Sequence, residues 1–187
     1  MEEMANSALI IVDMENDFCE GGALAVAGCK DIIEPINALR KTGYFDHIIM
    51  ARDWHPADHI SFMENHAHAW PGKWVIVEET GREQILWPTH AVQNSLGADF
   101  VPGILHEESD FQVLHGKVKM WDSKHAYGSA GENTGLLGYL KEKKVKHVYH
   151  VGLAYDHVVG YTAEKSALEG FESFVIKDCT KSVNADA

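Results

Sequence analysis

Long apolar runs are missing from this 187-residue chain. None approaches the roughly 20 residues that cross a bilayer, and the start, MEEMANSALIIVDM, shows no basic segment followed by a cleavage site. A cytoplasmic protein with no membrane partner is expected. Cysteine is scarce as well: Cys19, Cys29 and Cys179 are odd in number and spread along the chain. That usage fits a reducing compartment and predicts three structural thiols in place of a disulfide framework. Basic side chains are outnumbered 16 to 28, for a formal charge of −12, which repels phosphate backbones and argues against nucleic acid as a partner. A small neutral or cationic ligand is easier to accommodate. No repeat, linker or low-complexity tract is present.

With 45% apolar residues the chain can bury the core of one domain, residues 1–187. Five short aliphatic runs read as buried strands: ALIIVDM at 8–14, HIIMARD at 47–53, FQVLHG at 111–116, HVYHVGL at 147–153 and ESFVIKD at 172–178. Helical spacing lies between them at 31–41, 134–144 and 158–169. Such alternation predicts an α/β fold with a mostly parallel sheet covered on both faces. Ligands of these sheets bind at the carboxyl ends of the strands. Asp13, the Asp53 to His55 stretch and His115 all stand at such ends. The segment 55–103 has no long periodic pattern and is rich in Pro, Gly, His and Trp, as expected of a functional excursion.

In RDWHPADHISF, Asp53 and His55 are two residues apart at a strand end, so an extended backbone points both the same way. His59 follows four residues later, and His90 comes from the distant WPTH segment. One carboxylate with imidazoles suits zinc, iron or manganese. Any single histidine among the twelve has an ordinary packing explanation.

Five strings in order, IIVDMENDF, RDWHPADHISF, WPTHAVQNSLGADF, DSKHAYGSAGENTGL and VGLAYDHVVGYTA, resemble the motif series of nicotinamidases and pyrazinamidases in the isochorismatase-like (cysteine hydrolase) family. The resemblance covers nearly the whole chain. It implies a three-layer α/β/α sandwich with about six strands. It also implies one divalent metal ion, zinc first with iron or manganese as alternatives, on Asp53, His55 and His90, with His59 as an additional ligand in some relatives. Phe18 and Trp87 match residues flanking a pyridine ring, and Ala154 and Tyr127 fall in substrate-binding motifs. Leu153–Ala154 matches a cis bond, and the amides of Ala154 and Val158 match an oxyanion hole. Relatives often self-associate, so a homo-oligomer is also anticipated.

The family reaction, conversion of nicotinamide to nicotinate and ammonia, uses an aspartate, a lysine and a cysteine. Asp13 matches the aspartate. Counting back from Asp122-Ser123, the lysine position holds His115, and the cysteine position holds Val158. Lys117 and Lys119 would share the strand face of His115, but each step of two displaces a side chain by about 6.6 Å; Lys124 is a third nearby amine. Valine offers no nucleophile, so a thioester cannot form there. Ala91 and the Lys124-His125 pair depart from the family pattern too. The changes gather at the reaction centre while scaffold motifs persist. That pattern predicts a re-lined pocket, whether by divergence or by redesign, with the native amidase activity lost or very weak. A reaction based on a His115–Asp13 pair is one expectation, and a non-catalytic binder of a nicotinamide-like ring is the other.

Overall fold

The computed structural model describes residues 6–129 and 131–184. Strand β1 (Ser7–Val12) is buried along its whole length, because it lies at the centre of a sheet whose order is β5-β2-β1-β6-β7. The other strands are β2 (His47–Asp53) and β6 (His147–Leu153), which flank it, and β5 (Phe111–His115) and β7 (Glu172–Lys181) at the edges. Every pairing is parallel, as the near-continuous aliphatic runs require. The central sheet thus has five strands among the described residues, one fewer than expected. The two remaining strands, β3 (Trp74–Val77) and β4 (Arg82–Ile85), pair only with each other as an antiparallel hairpin inside the long excursion.

Alternate residues of β1 feed opposite faces. Leu9 and Ile11 pack with Ile32, Ile33 and Ile36 at helix α1 (Ile33–Lys41). Ala8, Ile10 and Val12 pack with Leu136 and Leu140 of α2 (Leu136–Glu142) and with Val159 at the entry to α3 (Gly160–Leu168). Helices on both faces make the three-layer sandwich. Each fully buried Ile or Leu contributes roughly 1.5–3 kcal/mol. Arg40 of α1 adds a clamp on the start of β5, donating from both terminal nitrogens to Asp110 at 2.7 and 2.8 Å. No helix among the described residues is long and apolar enough to cross a membrane.

The expectation of three free thiols is corrected at two positions. Cys19 and Cys29 are bonded to each other with Cα atoms 5.2 Å apart, and only Cys179 is free. The chain doubles back between them, with Val26 N–H donating to Phe18 O and Gly22 N–H to Cys19 O. Sequence spacing carries no record of that approach.

Chain order reverses between β1 and β6, and the crevice beyond their carboxyl ends is where a doubly wound sheet binds ligands. Gly152 lets the two strands meet there. Its φ is 103°, and a Cβ would overlap the carbonyl oxygen of Val12. Gly152→Ala is therefore expected to cost roughly 3 kcal/mol, or about 10 °C in Tm. Gly138→Ala, in α2 with open space around it, should be neutral or stabilising by up to about 1 kcal/mol; thermal melts of the two variants check both.

His150 supplies a pH test. It is fully buried, with its Nδ1 2.9 Å from Phe174 O and its Nε2 2.9 Å from Ser166 Oγ, and burial lowers its pKa to about 4. An unfolded histidine titrates near 6.5. Between those values the unfolded chain takes up a proton that the folded chain refuses, so this contribution falls as pH drops. Urea unfolding should show about 2 kcal/mol less loss between pH 7 and pH 5 for His150→Gln than for the wild type.

Candidate functional site

Three strand ends build the site. In the β2–β5 register Asp53 stands directly opposite His115, so their side chains share one face. Asp13 follows β1, its N–H donating to Ala51 O at 2.9 Å, with φ at 50° in the left-handed region that aspartate tolerates better than most residues. The imidazole of His115 lies between the two carboxylates. Its Nε2 is hydrogen-bonded to Asp13 Oδ1 at 3.0 Å. Its Nδ1 is 3.0 Å from Asp53 Oδ1 but makes no well-aligned hydrogen bond.

On the other side of Asp53 stand His55 and His90, with Nε2 atoms 3.2 and 3.5 Å from Oδ2. Backbone pairing explains how the distant WPTH segment arrives: His55 N–H donates to Ala91 O, and Gln93 N–H donates to His55 O. Asp17 secures the same loop, accepting from Ala91 N–H at 2.8 Å. The Nδ1 of His55 donates to Gly116 O at 2.8 Å and that of His90 to Pro88 O at 2.7 Å. Those bonds leave both Nε2 atoms facing Asp53. Imidazoles fixed in this way by backbone carbonyls are a common support for metal ligands. The donor set of Asp53, His55 and His90 therefore fits a divalent ion.

His59 is adjacent but turned elsewhere. It stacks on His55 with centroids 4.1 Å apart, its Nδ1 is 2.7 Å from Ser61 Oγ and its Nε2 is 3.3 Å from Trp121 O; it is not among the converging ligand atoms.

Electrostatics follow this packing. Burial raises the Asp13 pKa to about 6 against the opposing pull of His115. Burial also works to raise that of Asp53, but His55 and His115 overcome it and hold it well below the usual carboxylate range. His55 is disfavoured as a cation by burial, yet Asp53 lifts it to about 9. His115 is raised well above the ordinary value, as Asp13 and Asp53 outweigh the burial penalty.

A cavity of about 170 Å³ opens over this cluster. Asp13, Phe18, Trp87, Ala154 and Val158 all line it. His115 does not, since it is fully buried behind Asp13. The placement of Tyr127 at the ligand is corrected: it packs in the core beside α2, with its hydroxyl 2.8 Å from Ser166 Oγ, because the turn at 124–128 directs it inward. None of the three cysteines reaches the cavity. Lys124 does, whereas Lys117 and Lys119 do not; Lys119 pairs with Asp58 at 2.7 Å. Val158 sits in a π-turn, Tyr155–Val159, directly after the cis Leu153–Ala154 peptide.

Other residues were not anticipated. Glu15 is fully buried, and its Oε2 accepts the N–H of Asp53 at 2.9 Å; its position between Asp13 and Asp17 in DMEND was the available signal. Trp74 and Ile85, cross-strand partners in the β3–β4 hairpin, form one wall of the cavity. Nothing in their sequence context separates them from an ordinary exposed hairpin.

The isochorismatase domain model matches residues 7–187. This chain belongs to that family. The nicotinamidase of Acinetobacter baylyi is 39% identical over 186 residues, covering 98% of this chain and 85% of the relative. Among solved structures, the yeast nicotinamidase bound to the inhibitor nicotinaldehyde has a TM-score of 0.89 at 31% identity, covering 96% of this chain and 90% of the other. The pyrazinamidase of Pyrococcus horikoshii in complex with zinc has a TM-score of 0.78 at 31% identity, covering 97% and 89%. The scaffold is thus that of a nicotinamidase-like hydrolase in the isochorismatase family.

Gly116 provides a local test. A Cβ there would overlap the ring of His55, so Gly116→Ala must displace that imidazole from its carbonyl partner. Zinc affinity, measured by competition with a chromophoric chelator, is expected to fall by about 10- to 100-fold.

Proposed function

We propose that this isochorismatase-family chain holds a divalent ion on Asp53, His55 and His90 and seats a planar, pyridine carboxamide-like ring, but does not carry out cysteine-dependent deamidation. Zinc is the first choice of ion, with iron and manganese suited to the same donors. The observation that carries the reading is Val158, which lines the cavity beside Ala154 and Asp13 with no cysteine anywhere on its wall. An isopropyl group can neither attack a carbonyl nor yield a proton.

The remaining parts suit binding. Phe18 and Trp87 line the cavity, and they supply flat apolar faces for one ring. Phe18 also meets His90 edge to face, with centroids 5.5 Å apart, which places an aromatic surface next to the proposed ion. Asp13 offers a carboxylate oxygen to a ligand amide, and His115 holds that carboxylate from behind. When bound, a divalent ion at this position supplies Lewis acidity and lowers the pKa of coordinated water. Homologues support a small-ring ligand, since the yeast relative binds nicotinaldehyde.

The Asp13–His115 hydrogen bond at 3.0 Å favours a second reading, a reaction in which the pair acts as a base. In that arrangement Asp13 meets the ligand, and His115 is a positioning residue acting through it.

Calorimetry with nicotinamide on zinc-loaded protein is expected to show binding, with ammonia release at least about 1,000-fold below that of the Val158→Cys, His115→Lys double variant. Comparable turnover by the wild type, or no heat at millimolar nicotinamide, would sink the first reading. Unchanged turnover of His115→Ala on a panel of activated esters would remove the second.

A further inference from the structure

Residues 20–28 form a strap with neither helix nor strand, and their side chains alternate. Ala23, Ala25 and Ala27 are exposed, whereas Leu24 and Val26 turn inward and line the cavity, as does Phe18 just before the strap. One wall of the proposed ring pocket is thus a segment that no sheet pairing holds.

The strap's backbone bonds run mostly back to the residues it starts from. Leu24 N–H donates to Asp17 O at 2.9 Å, Val26 N–H to Phe18 O at 2.9 Å and Gly22 N–H to Cys19 O at 2.8 Å. The Cys19–Cys29 bond closes the loop, joining residues ten positions apart. Cys29 opens the 3-10 turn that leads into α1, so the bond fastens the strap to the layer beneath it. A covalent tie between its ends keeps the conformations of such a loop few, and loss of the tie frees them.

Both half-cystines are buried, in the same apolar cluster as Phe18 and Val26. Their cover is thin, because the strap shows small exposed residues to solvent. Segments with few buried contacts and few backbone bonds open locally at low cost, and such opening admits a small reductant to the sulfurs.

We infer that the Cys19–Cys29 pair is a redox latch on the cavity wall: closed, it holds Leu24 and Val26 against the ligand ring, and reduced, it loosens them and weakens binding. The inference rests on the ring-binding reading above. A thiolate of a small dithiol attacks one sulfur, which forms a mixed disulfide and releases the other sulfur as a thiolate. The second thiol of the reductant then displaces the first sulfur. The protein's S–S bond takes up two electrons and two protons, and the dithiol closes to a disulfide. A small disulfide oxidant reverses the step.

Full-length chain is compared in two forms, oxidised, and reduced with dithiothreitol and desalted without oxygen, each then loaded with zinc. Alkylation after denaturation should count one free thiol in the first and three in the second. Calorimetry, at a temperature where both forms are folded, is expected to show nicotinamide binding about 10-fold more weakly to the reduced form. The Cys19→Ser, Cys29→Ser double variant should match that form and ignore the reductant. Equal affinity in the two forms overturns the inference, as does a double variant that binds like the oxidised chain or a bond that dithiothreitol leaves intact in the folded protein.

Backbone hydrogen exchange of the wild type separates the latch from the ring reading and does not depend on the variant folding. The amides of Leu24 and Val26 are expected to exchange about 10-fold faster on reduction, with those of Ile10 and Ile11 in β1 unchanged. Should neither form bind nicotinamide, the ring reading falls, while faster exchange confined to the strap still supports the latch. Equal exchange in the two forms, or faster exchange throughout β1, overturns it.

Discussion

The Asp53 carboxylate is drawn from two sides, by His55 and His90 at Oδ2 and by His115 at Oδ1, and its own backbone is pinned by buried Glu15. A carboxylate in that position is stable only because charge of opposite sign surrounds it at close range. Burial would otherwise drive it neutral. The sheet makes the arrangement, since parallel β2 and β5 are registered so that Asp53 and His115 are partners. A slip of one residue would send one of them to the opposite face. The site is therefore a consequence of strand register before it is a consequence of loop geometry.

What the cavity does follows from a contrast between floor and wall. The floor is densely charged and held by hydrogen bonds. The wall is largely apolar, with Val158 beside Ala154. Glycines mark where the floor must close: Gly116 makes room for His55, and Gly152 for the carbonyl of Val12. The charged floor and the apolar wall are separate parts of the fold, in keeping with the argument that fold and chemistry vary separately.

Much of the fold was legible. The five aliphatic runs became the five strands of the central sheet, and the helical spacings at 31–41, 134–144 and 158–169 became α1, α2 and α3, each shortened at its start by irregular turns. Buried parallel strands are continuous in apolar character, so local composition reveals them. The central sheet has five strands where about six were expected, and β3 and β4, with exposed faces, form a separate hairpin. Tyr127 was misplaced because direction at a turn depends on the φ and ψ of each residue, which composition does not encode. The Cys19–Cys29 pairing was missed for a related reason: residues 20–28 could equally have led the two sulfurs apart.

The sequence by itself determined the residue types available for chemistry: a carboxylate after β1, a carboxylate at the end of β2 with imidazoles after it, an imidazole at the end of β5 and a valine after β6. It also determined that these would gather at the carboxyl edge of a parallel sheet. Only the tertiary structure decided that His115 stands between two carboxylates instead of facing the cavity, that His59 turns to Ser61 and Trp121, and that Glu15 joins the buried cluster. The reason is one of range. Strand identity is set by neighbours along the chain, whereas the partner of a buried charge is chosen by groups tens of residues away, which come within 3 Å of it only when the sheet has formed.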